Sequence, residues 1–212
     1  MVFDKINIKF DLLKYKNKFS KYILDLNREI ILGGKRMEDR LKQGLVQVYT
    51  GGGKGKTTAA LGLGLRASGH GFKVEMIQFL KGTGYTGELK AVKDIEEITV
   101  KQYGKPDFIV NRDAKKEDHM EAEKAFHRAE KAILEEDWDI IILDELNLSI
   151  YFDLIKIEDV LELMDKVRNT EVIITGRNAD EKLIEKADLV TSMEEIKHPY
   201  QEGFTARKGI EY

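Results

Sequence analysis

The amino-acid sequence predicts an α/β domain in which a mainly parallel central sheet lies between two layers of helices. Six short apolar runs have the length and composition of strands: Leu45–Tyr49, Lys73–Leu80, Ile98–Tyr103, Ile140–Leu143, Glu171–Thr175 and Leu189–Met193. Segments with helical spacing of apolar residues lie between them, at Ala59–Ala67, Lys115–Glu136, Ile157–Val167 and Asp180–Lys186. Strands that alternate with helices form right-handed crossovers and therefore a parallel sheet.

An N-terminal helical arm, residues 1–43, precedes this domain, which spans residues 44–212. Apolar residues in the arm recur at helical spacing before a Gly33-Gly34 stop signal: Leu12, Tyr15, Phe19, Ile23, Leu26 and Ile30. An amphipathic helix must cover its apolar side. The covering surface is either the helix's own domain or a partner subunit.

Composition excludes several classes of function. The net charge is −3 and the basic residues are spread along the chain, which argues against a general nucleic-acid binder. Without cysteine the chain has no disulfide, no thiolate metal site and no thiol nucleophile. The first ten residues carry charges, unlike a signal peptide, and no apolar run is long enough to cross a bilayer. We expect a cytoplasmic protein that binds neither nucleic acid nor membrane.

A glycine- and lysine-rich loop joins the first strand to the first helix, with the sequence Thr50-Gly51-Gly52-Gly53-Lys54-Gly55-Lys56-Thr57-Thr58. Strand, glycine-rich loop, Gly-Lys-Thr and helix is the order found in a phosphate-binding P-loop. Glycine lets the backbone approach an anion, and amides at the helix start point at the phosphates. Lys56 then reaches phosphate oxygens and the Thr57 hydroxyl ligates Mg²⁺. The alternative is a flexible turn without a ligand.

The loop is one residue shorter than the usual Gly-x-x-x-x-Gly-Lys-Thr spacing. That spacing requires glycine at position 50, where this chain has Thr50, and the nearest glycine is Gly51. Lys54 adds a cation inside the loop. The sequence therefore predicts a P-loop NTPase-like fold with a tightened site for a nucleoside triphosphate.

Charged residues follow two later strands. Asp144-Glu145 ends an apolar strand in the manner of a Walker-B element, whose carboxylate faces the nucleotide's metal. Because neighbouring residues of an extended chain point to opposite sides, we expect one of the two to touch the metal. A solvated loop start is the alternative. Arg177 also follows a strand, where it either clamps a phosphate or forms a surface ion pair.

Other candidates are less specific. Arg66 lies on the helix after the glycine-rich loop and either reaches a ribose or base or faces solvent. Tyr103 and Phe108 flank a Gly/Pro turn beyond a strand end, where they belong to the core or line a ligand cleft. The four histidines lack metal-ligand spacing, and among them only His198 is kept as a candidate functional residue.

Taken in order, these motifs resemble those of the P-loop-type ATP:corrinoid adenosyltransferases, which act on cob(I)alamin or cob(I)yrinic acid a,c-diamide. The resemblance covers residues 44–212. Its segments are Thr50–Thr58, Arg66–Gly71, Gln78–Gly82, Leu143–Asn147, Thr175–Asn178, Lys197–Tyr200 and Gly209–Tyr212.

The resemblance implies that the Co(I) of a reduced corrinoid attacks the 5′ carbon of ATP and that inorganic triphosphate leaves. It implies that ATP and a corrinoid are the substrates and that Mg²⁺ is the cofactor. Thr57 and Glu145 would coordinate the metal. Charge on the triphosphate would be stabilised by Lys54, Lys56 and Arg177. The implied ATP contacts are Thr50, Gly51, Gly52, Gly53, Lys54, Gly55, Lys56, Thr57, Thr58, Arg66, Arg177 and Asn178.

Some relatives place aromatic residues against the corrinoid in a Gly-Phe-Thr-Trp stretch. The corresponding region here, Gln102–Phe108, has no tryptophan, so Tyr103 and Phe108 are the candidates for that contact. The resemblance further implies a homodimer, in which the N-terminal helix covers the partner's active site, and an electron-donating reductase. The remaining alternatives are a P-loop ATPase or phosphotransferase and a nucleotide- or corrinoid-binding carrier.

Overall fold

A computed structural model describes residues 41–82, 86–105 and 113–210. In these ranges the strands are β1 (Val46–Thr50), β2 (Val74–Gln78), β3 (Ile98–Gln102), β4 (Ile140–Asp144), β5 (Glu171–Thr175) and β6 (Leu189–Ser192). The helices are α1 (Lys56–Ser68), α2 (Gly87–Val92), α3 (Lys116–Glu135), α4 (Leu146–Tyr151), α5 (Ile157–Asp165) and α6 (Glu181–Lys186), followed by a 3₁₀ turn (Pro199–Glu202). None of the helices in these ranges is long and apolar enough to cross a membrane.

The strands form one sheet in the order β3-β2-β4-β5-β1-β6, and every neighbouring pair is parallel. The predicted fold class is therefore confirmed. The carboxyl ends of parallel strands meet at one edge of a sheet, where ligands bind in open α/β folds. Here the register places Gln78 of β2 directly beside Asp144 of β4, and Leu143 beside Ile174 of β5. The ends of three strands thus meet around Asp144.

Two apolar clusters cover the two faces of the sheet. One cluster packs α3, α4, α5 and α6 against one face, and the other packs α1 and α2 against the opposite face. Strands β2 and β4 are buried at every residue, which explains the continuous apolar run of Ile140–Leu143. At Gly64 of α1, a Cβ would lie 3.2 Å from Val74 Cγ1, so this helix packs closely on β2.

The structure adds two helices that the sequence pattern did not reveal. Both α2 and α4 have six residues, too few to show a helical period. Helix α1 begins at Lys56, so that its first turn carries the end of the glycine-rich loop. Residues 1–40 of the predicted N-terminal arm, and Phe108, lie outside the described residues.

A buried ionic network joins α3 to the sheet, away from the carboxyl ends of the strands. Glu75 of β2 is fully buried, and its carboxylate accepts from Arg128 Nε at 3.0 Å and Nη2 at 2.5 Å. Arg128 also donates to both carboxylate oxygens of Glu136, at 2.7 and 2.6 Å. Hydrogen bonds from Arg128 and from the Trp138 indole lower the pKa of Glu136 to about 2. This network fixes the long helix on the sheet.

Arg128→Met should lower the free energy of unfolding by about 3 kcal/mol at pH 7, because the buried Glu75 carboxylate loses both hydrogen bonds from the guanidinium and keeps the half-exposed Lys101, whose Nζ lies 2.9 Å from Oε1. Since the folded-state pKa of Glu136 is depressed from 4.5 to about 2, its stabilising contribution is present above pH 4.5 and disappears as pH falls toward 2. Urea denaturation should show the gap between wild type and variant narrowing over that interval. Lys131→Met, which removes an exposed partner 4.0 Å from Glu136, is the control and should change stability little. Wild-type stability of Arg128→Met would refute this role.

Candidate active site

A cleft of about 590 Å³ opens at the carboxyl ends of the strands. One wall is the glycine-rich loop and the start of α1, residues 53–58. Charged side chains from the ends of β2, β4 and β5 form the floor: Lys81, Glu145 and Arg177. A C-terminal segment, residues 193–210, contributes Glu195, His198, Gly209 and Ile210. The cleft thus joins most of the charged residues that the sequence singled out.

The glycine-rich loop packs directly against the C-terminal segment. Gly53 N donates to Met193 O at 2.7 Å, and Met193 N donates to Thr50 O at 2.9 Å. A Cβ at Gly51 would lie 2.4 Å from Met193 O, and one at Gly53 would lie 2.7 Å from Glu194 C. Gly51 also has a φ of +92°, which favours glycine. These two glycines are therefore required by the chain that packs against the loop.

Lys56 holds the loop in shape. Its side chain is buried, and Nζ donates to Gly51 O and Gly53 O, both at 2.7 Å. Burial lowers the pKa of Lys56, although the nearby Glu145 opposes the shift. An ammonium group has three protons, and the loop carbonyls accept two. Lys56 thus holds the Gly51 and Gly53 carbonyls together from inside the loop, and it also lines the cleft.

Asp144, the last residue of β4, is fully buried at the base of the cleft. Its Oδ1 accepts from the hydroxyls of Thr57 at 2.8 Å and Thr175 at 2.7 Å. Its Oδ2 accepts from Gln78 Nε2 at 2.9 Å and from Lys81 Nζ at 2.7 Å. Burial alone would raise the pKa of Asp144, but the Lys81 ammonium and these hydrogen bonds hold it below its ordinary value. A carboxylate offers about four acceptor positions, and all are used here.

Glu145 contrasts with Asp144. It has a φ of +65°, which turns the chain sharply between β4 and α4, and it lines the cleft. Its Oε2 is buried and accepts no hydrogen bond among the described residues. Burial raises the pKa of Glu145, the Asp144 charge raises it further, and the cations Lys81, Lys56 and Arg177 oppose the shift. This carboxylate therefore has an oxygen without a partner.

These groups fit a divalent cation. The orphaned Glu145 oxygen is a hard ligand of the kind that Mg²⁺ prefers. The Thr57 hydroxyl donates a hydrogen bond to Asp144, which leaves the lone pairs of the hydroxyl oxygen for a metal. No group of three or more acidic or histidine side chains in the described parts of the chain could hold a metal alone. A cation bound here would consequently complete its coordination with oxygens of water or of a bound phosphate.

Two further cations belong to the cleft. Arg177 is exposed and follows the buried Thr175-Gly176 turn at the end of β5. Lys54 projects from the loop, and its Nζ donates to Ile210 O at 3.1 Å. Thr58 also lines the cleft. Lys54, Lys56, Lys81 and Arg177 together give the cleft four cationic side chains.

Several predicted contacts lie apart from the cleft in the described structure. Arg66 and Asn178 are exposed and are not among the cleft residues. Tyr103 packs against the apolar cluster formed with α3 instead of lining the cleft. Thr50 makes a structural contact, since its Oγ1 accepts a hydrogen bond from Ala179 N at 3.2 Å. Their roles toward ATP and corrinoid stay predictions.

Three site residues went without a role in the sequence interpretation: Gln78, Lys81 and Thr175. Each stands at or just beyond a strand end, and all three donate to Asp144. The strand ends were visible in the sequence, but the order of strands in the sheet was not. That order alone shows that the ends of β2 and β5 flank β4.

The matches to known proteins cover the same part of the chain as the cleft and its sheet. The family described as "ATP:corrinoid adenosyltransferase BtuR/CobO/CobP" matches residues 42–212. The chain belongs to this adenosyltransferase family. A corrinoid adenosyltransferase of Sinorhizobium sp. is 38% identical over 191 residues, which are 87% of this chain and 86% of that protein. The family resemblance seen in the sequence is thereby confirmed.

Two further corrinoid adenosyltransferases have a similar extent of match. That of Pseudomonas aeruginosa is 33% identical over 187 residues, covering 87% of this chain and 92% of the relative. That of Escherichia coli K12 is 34% identical over 173 residues, which cover 81% of this chain and 87% of the relative. Each match spans most of both proteins, so the relationship to the adenosyltransferases extends well beyond the glycine-rich loop.

Glu145→Gln should stabilise the ligand-free adenosyltransferase, because it removes a half-buried negative charge beside Asp144 whose Oε2 accepts no hydrogen bond among the described residues. A gain of about 1 kcal/mol would raise Tm by about 3 °C in a chain of this size. The same variant should lose most of the extra stabilisation that Mg²⁺ adds to ATP binding in the wild type. Differential scanning calorimetry with and without Mg²⁺ and ATP measures both effects.

Asp144→Asn provides the matched control for that experiment. It also removes one negative charge, but its amide keeps only one acceptor oxygen, so that two of the four donors lose their acceptor and Lys81 loses its ion-pair partner, and Tm should therefore fall. If Glu145→Gln lowered Tm as Asp144→Asn does, the two carboxylates would not differ as the contacts indicate.

Proposed function

We propose that this chain transfers the 5′-deoxyadenosyl group of ATP to the Co(I) of a reduced corrinoid and releases triphosphate, in the synthesis or salvage of adenosylcobalamin. The observation that carries this proposal is the cleft beside the glycine-rich loop, which is lined by four cationic side chains. Membership of the adenosyltransferase family supports the choice of reaction. We also propose that the reaction takes place in the cytoplasm.

In the proposed reaction the cobalt donates an electron pair to C5′ of ATP and a cobalt–carbon bond forms. The bond between C5′ and the α-phosphate oxygen breaks, and its electron pair leaves with triphosphate. The metal is formally oxidised from Co(I) to Co(III). The nucleophile is the corrinoid substrate, so the protein needs no nucleophilic side chain. Its task is to hold ATP and to stabilise negative charge on the leaving group.

The residues of the cleft divide this task. The loop amides and Lys56 would hold the phosphates, while Lys54 and Arg177 would add positive charge beside the triphosphate. Preorganised cations of this kind lower the barrier because they need not reorient as charge develops. Thr57 and Glu145 would hold Mg²⁺, which when bound neutralises part of the triphosphate charge. Asp144 would orient the Thr57 hydroxyl through the 2.8 Å hydrogen bond.

The N-terminal arm extends the proposal to a homodimer. We propose that the apolar stripe of residues 12–30 covers the partner's active site, and that a separate reductase supplies the electron for Co(I). Sedimentation and corrinoid-binding measurements on a variant that lacks residues 1–43 test the arm. Unchanged oligomeric state and unchanged corrinoid affinity would overturn its role.

The reaction itself is tested by an anaerobic assay with ATP, Mg²⁺ and chemically reduced corrinoid. The adenosyltransferase should give the light-sensitive adenosyl–cobalt spectrum and one intact triphosphate for each product formed. Phosphate or ADP without a cobalt–carbon product would indicate an ATPase or phosphotransferase. ATP and corrinoid binding without any product would indicate a carrier.

In the same assay Lys56→Ala should reduce kcat/KM by at least about 100-fold, the size of effect seen when one preorganised donor is removed. The variant loses both its phosphate contact and the two loop hydrogen bonds at 2.7 Å. Lys182→Ala, which removes an exposed lysine paired with Glu158, is the control and should retain full activity. Equal activity of the two variants would contradict the proposed site.

A further inference from the structure

A buried asparagine lies next to the proposed metal ligand. Asn147 is the second residue of α4, two positions after Glu145, and it is fully buried. Its Nδ2 donates to Gly176 O at 3.0 Å. Its Oδ1 is buried and has no hydrogen-bond partner within the described ranges. A half-satisfied amide is costly to bury, whereas an apolar side chain would avoid that cost.

The hydrogen bond from Asn147 ends on a constrained turn. Gly176 has a φ of +133°, in the region that favours glycine. A Cβ at Gly176 would lie 2.9 Å from Asn147 Cβ and 3.2 Å from Glu145 Oε2. The turn therefore packs against α4 and the Glu145 carboxylate without room for a side chain. The residue that follows it is Arg177, which lines the cleft.

Three hydrogen bonds fix the turn that carries Arg177. Gly176 N donates to Tyr49 O at 3.2 Å, and Ala179 N donates to Thr50 Oγ1 at 3.2 Å. These two bonds tie the turn to β1. The third, from Asn147, ties it to the helix that begins immediately after Glu145. It is the one of the three that couples Arg177 to the acidic side of the cleft.

We infer that Asn147 is a positioning residue, which fixes Arg177 relative to Glu145 so that the arginine meets the triphosphate of ATP. Without the amide, the carbonyl of the buried Gly176 loses its donor. The peptide between Gly176 and Arg177 then rotates toward another donor, and the guanidinium moves with it. This inference rests on the proposed function, because it assigns the ligand of Arg177 as a triphosphate.

The test is a double-mutant cycle read by ligand affinity. Asn147→Leu keeps the number and branching of the side-chain heavy atoms and removes the donor, and Asn147→Ala removes the donor without adding bulk. The affinity of each full-length variant for inorganic triphosphate is measured by calorimetry in buffer with Mg²⁺ and without corrinoid. We expect about tenfold weaker binding, as is usual for coupled residues in one hydrogen-bonded network.

Arg177→Ala should also weaken triphosphate binding, and adding Asn147→Leu to it should cause less than a twofold further loss. A residue that merely supports the fold would instead weaken binding by the same factor in either background. Ile150→Val, another buried change on α4, is the control and should retain wild-type affinity.

Wild-type affinity of both Asn147 variants would overturn the inference and leave the proposed function intact, and so would additive losses in the double variant. Failure of the wild-type protein to bind triphosphate and ATP would overturn the proposed function and the inference with it.

Discussion

The fully buried carboxylate of Asp144 is the constraint on which the rest of the site depends. A buried charge is tolerated only when it is paired and hydrogen-bonded, and Asp144 draws its four donors from separate elements. Thr57 belongs to α1, Gln78 to β2 and Thr175 to β5, while Lys81 follows β2. The carboxylate thereby fixes the start of α1, which follows the glycine-rich loop, against the ends of three neighbouring strands.

This arrangement separates the roles of two consecutive acidic residues. Asp144 has no acceptor position left, so it organises the site, whereas Glu145 lines the cleft and its Oε2 accepts no hydrogen bond from the residues that the structure describes. The positive φ of Glu145 makes the difference possible, because it turns the second carboxylate away from the first. Lys81 compensates the charge of Asp144, and without it two adjacent carboxylates would repel each other in a poorly solvated place.

Much of the fold followed from the sequence, because buried parallel strands such as Ile140–Leu143 are continuous apolar runs between helical segments. The glycine-rich loop, Lys56, Glu145 and Arg177 were also predicted as parts of one cleft, since each stands at a strand end. Lys81 and Asn147 were not assigned a role, because their contacts depend on strand order and on a six-residue helix. The packing of residues 193–210 against the loop has no local pattern, as it joins segments distant in sequence.

The central claim is the division between a saturated Asp144 and a metal-binding Glu145. A crystal structure of the chain with Mg²⁺ and ATP tests it most directly. We predict that Mg²⁺ is bound by Glu145, the Thr57 hydroxyl and phosphate oxygens, while Asp144 keeps its hydrogen bonds to Thr175 and Lys81. Direct coordination of the metal by Asp144, with Lys81 displaced and Glu145 remote from the ion, would contradict this account.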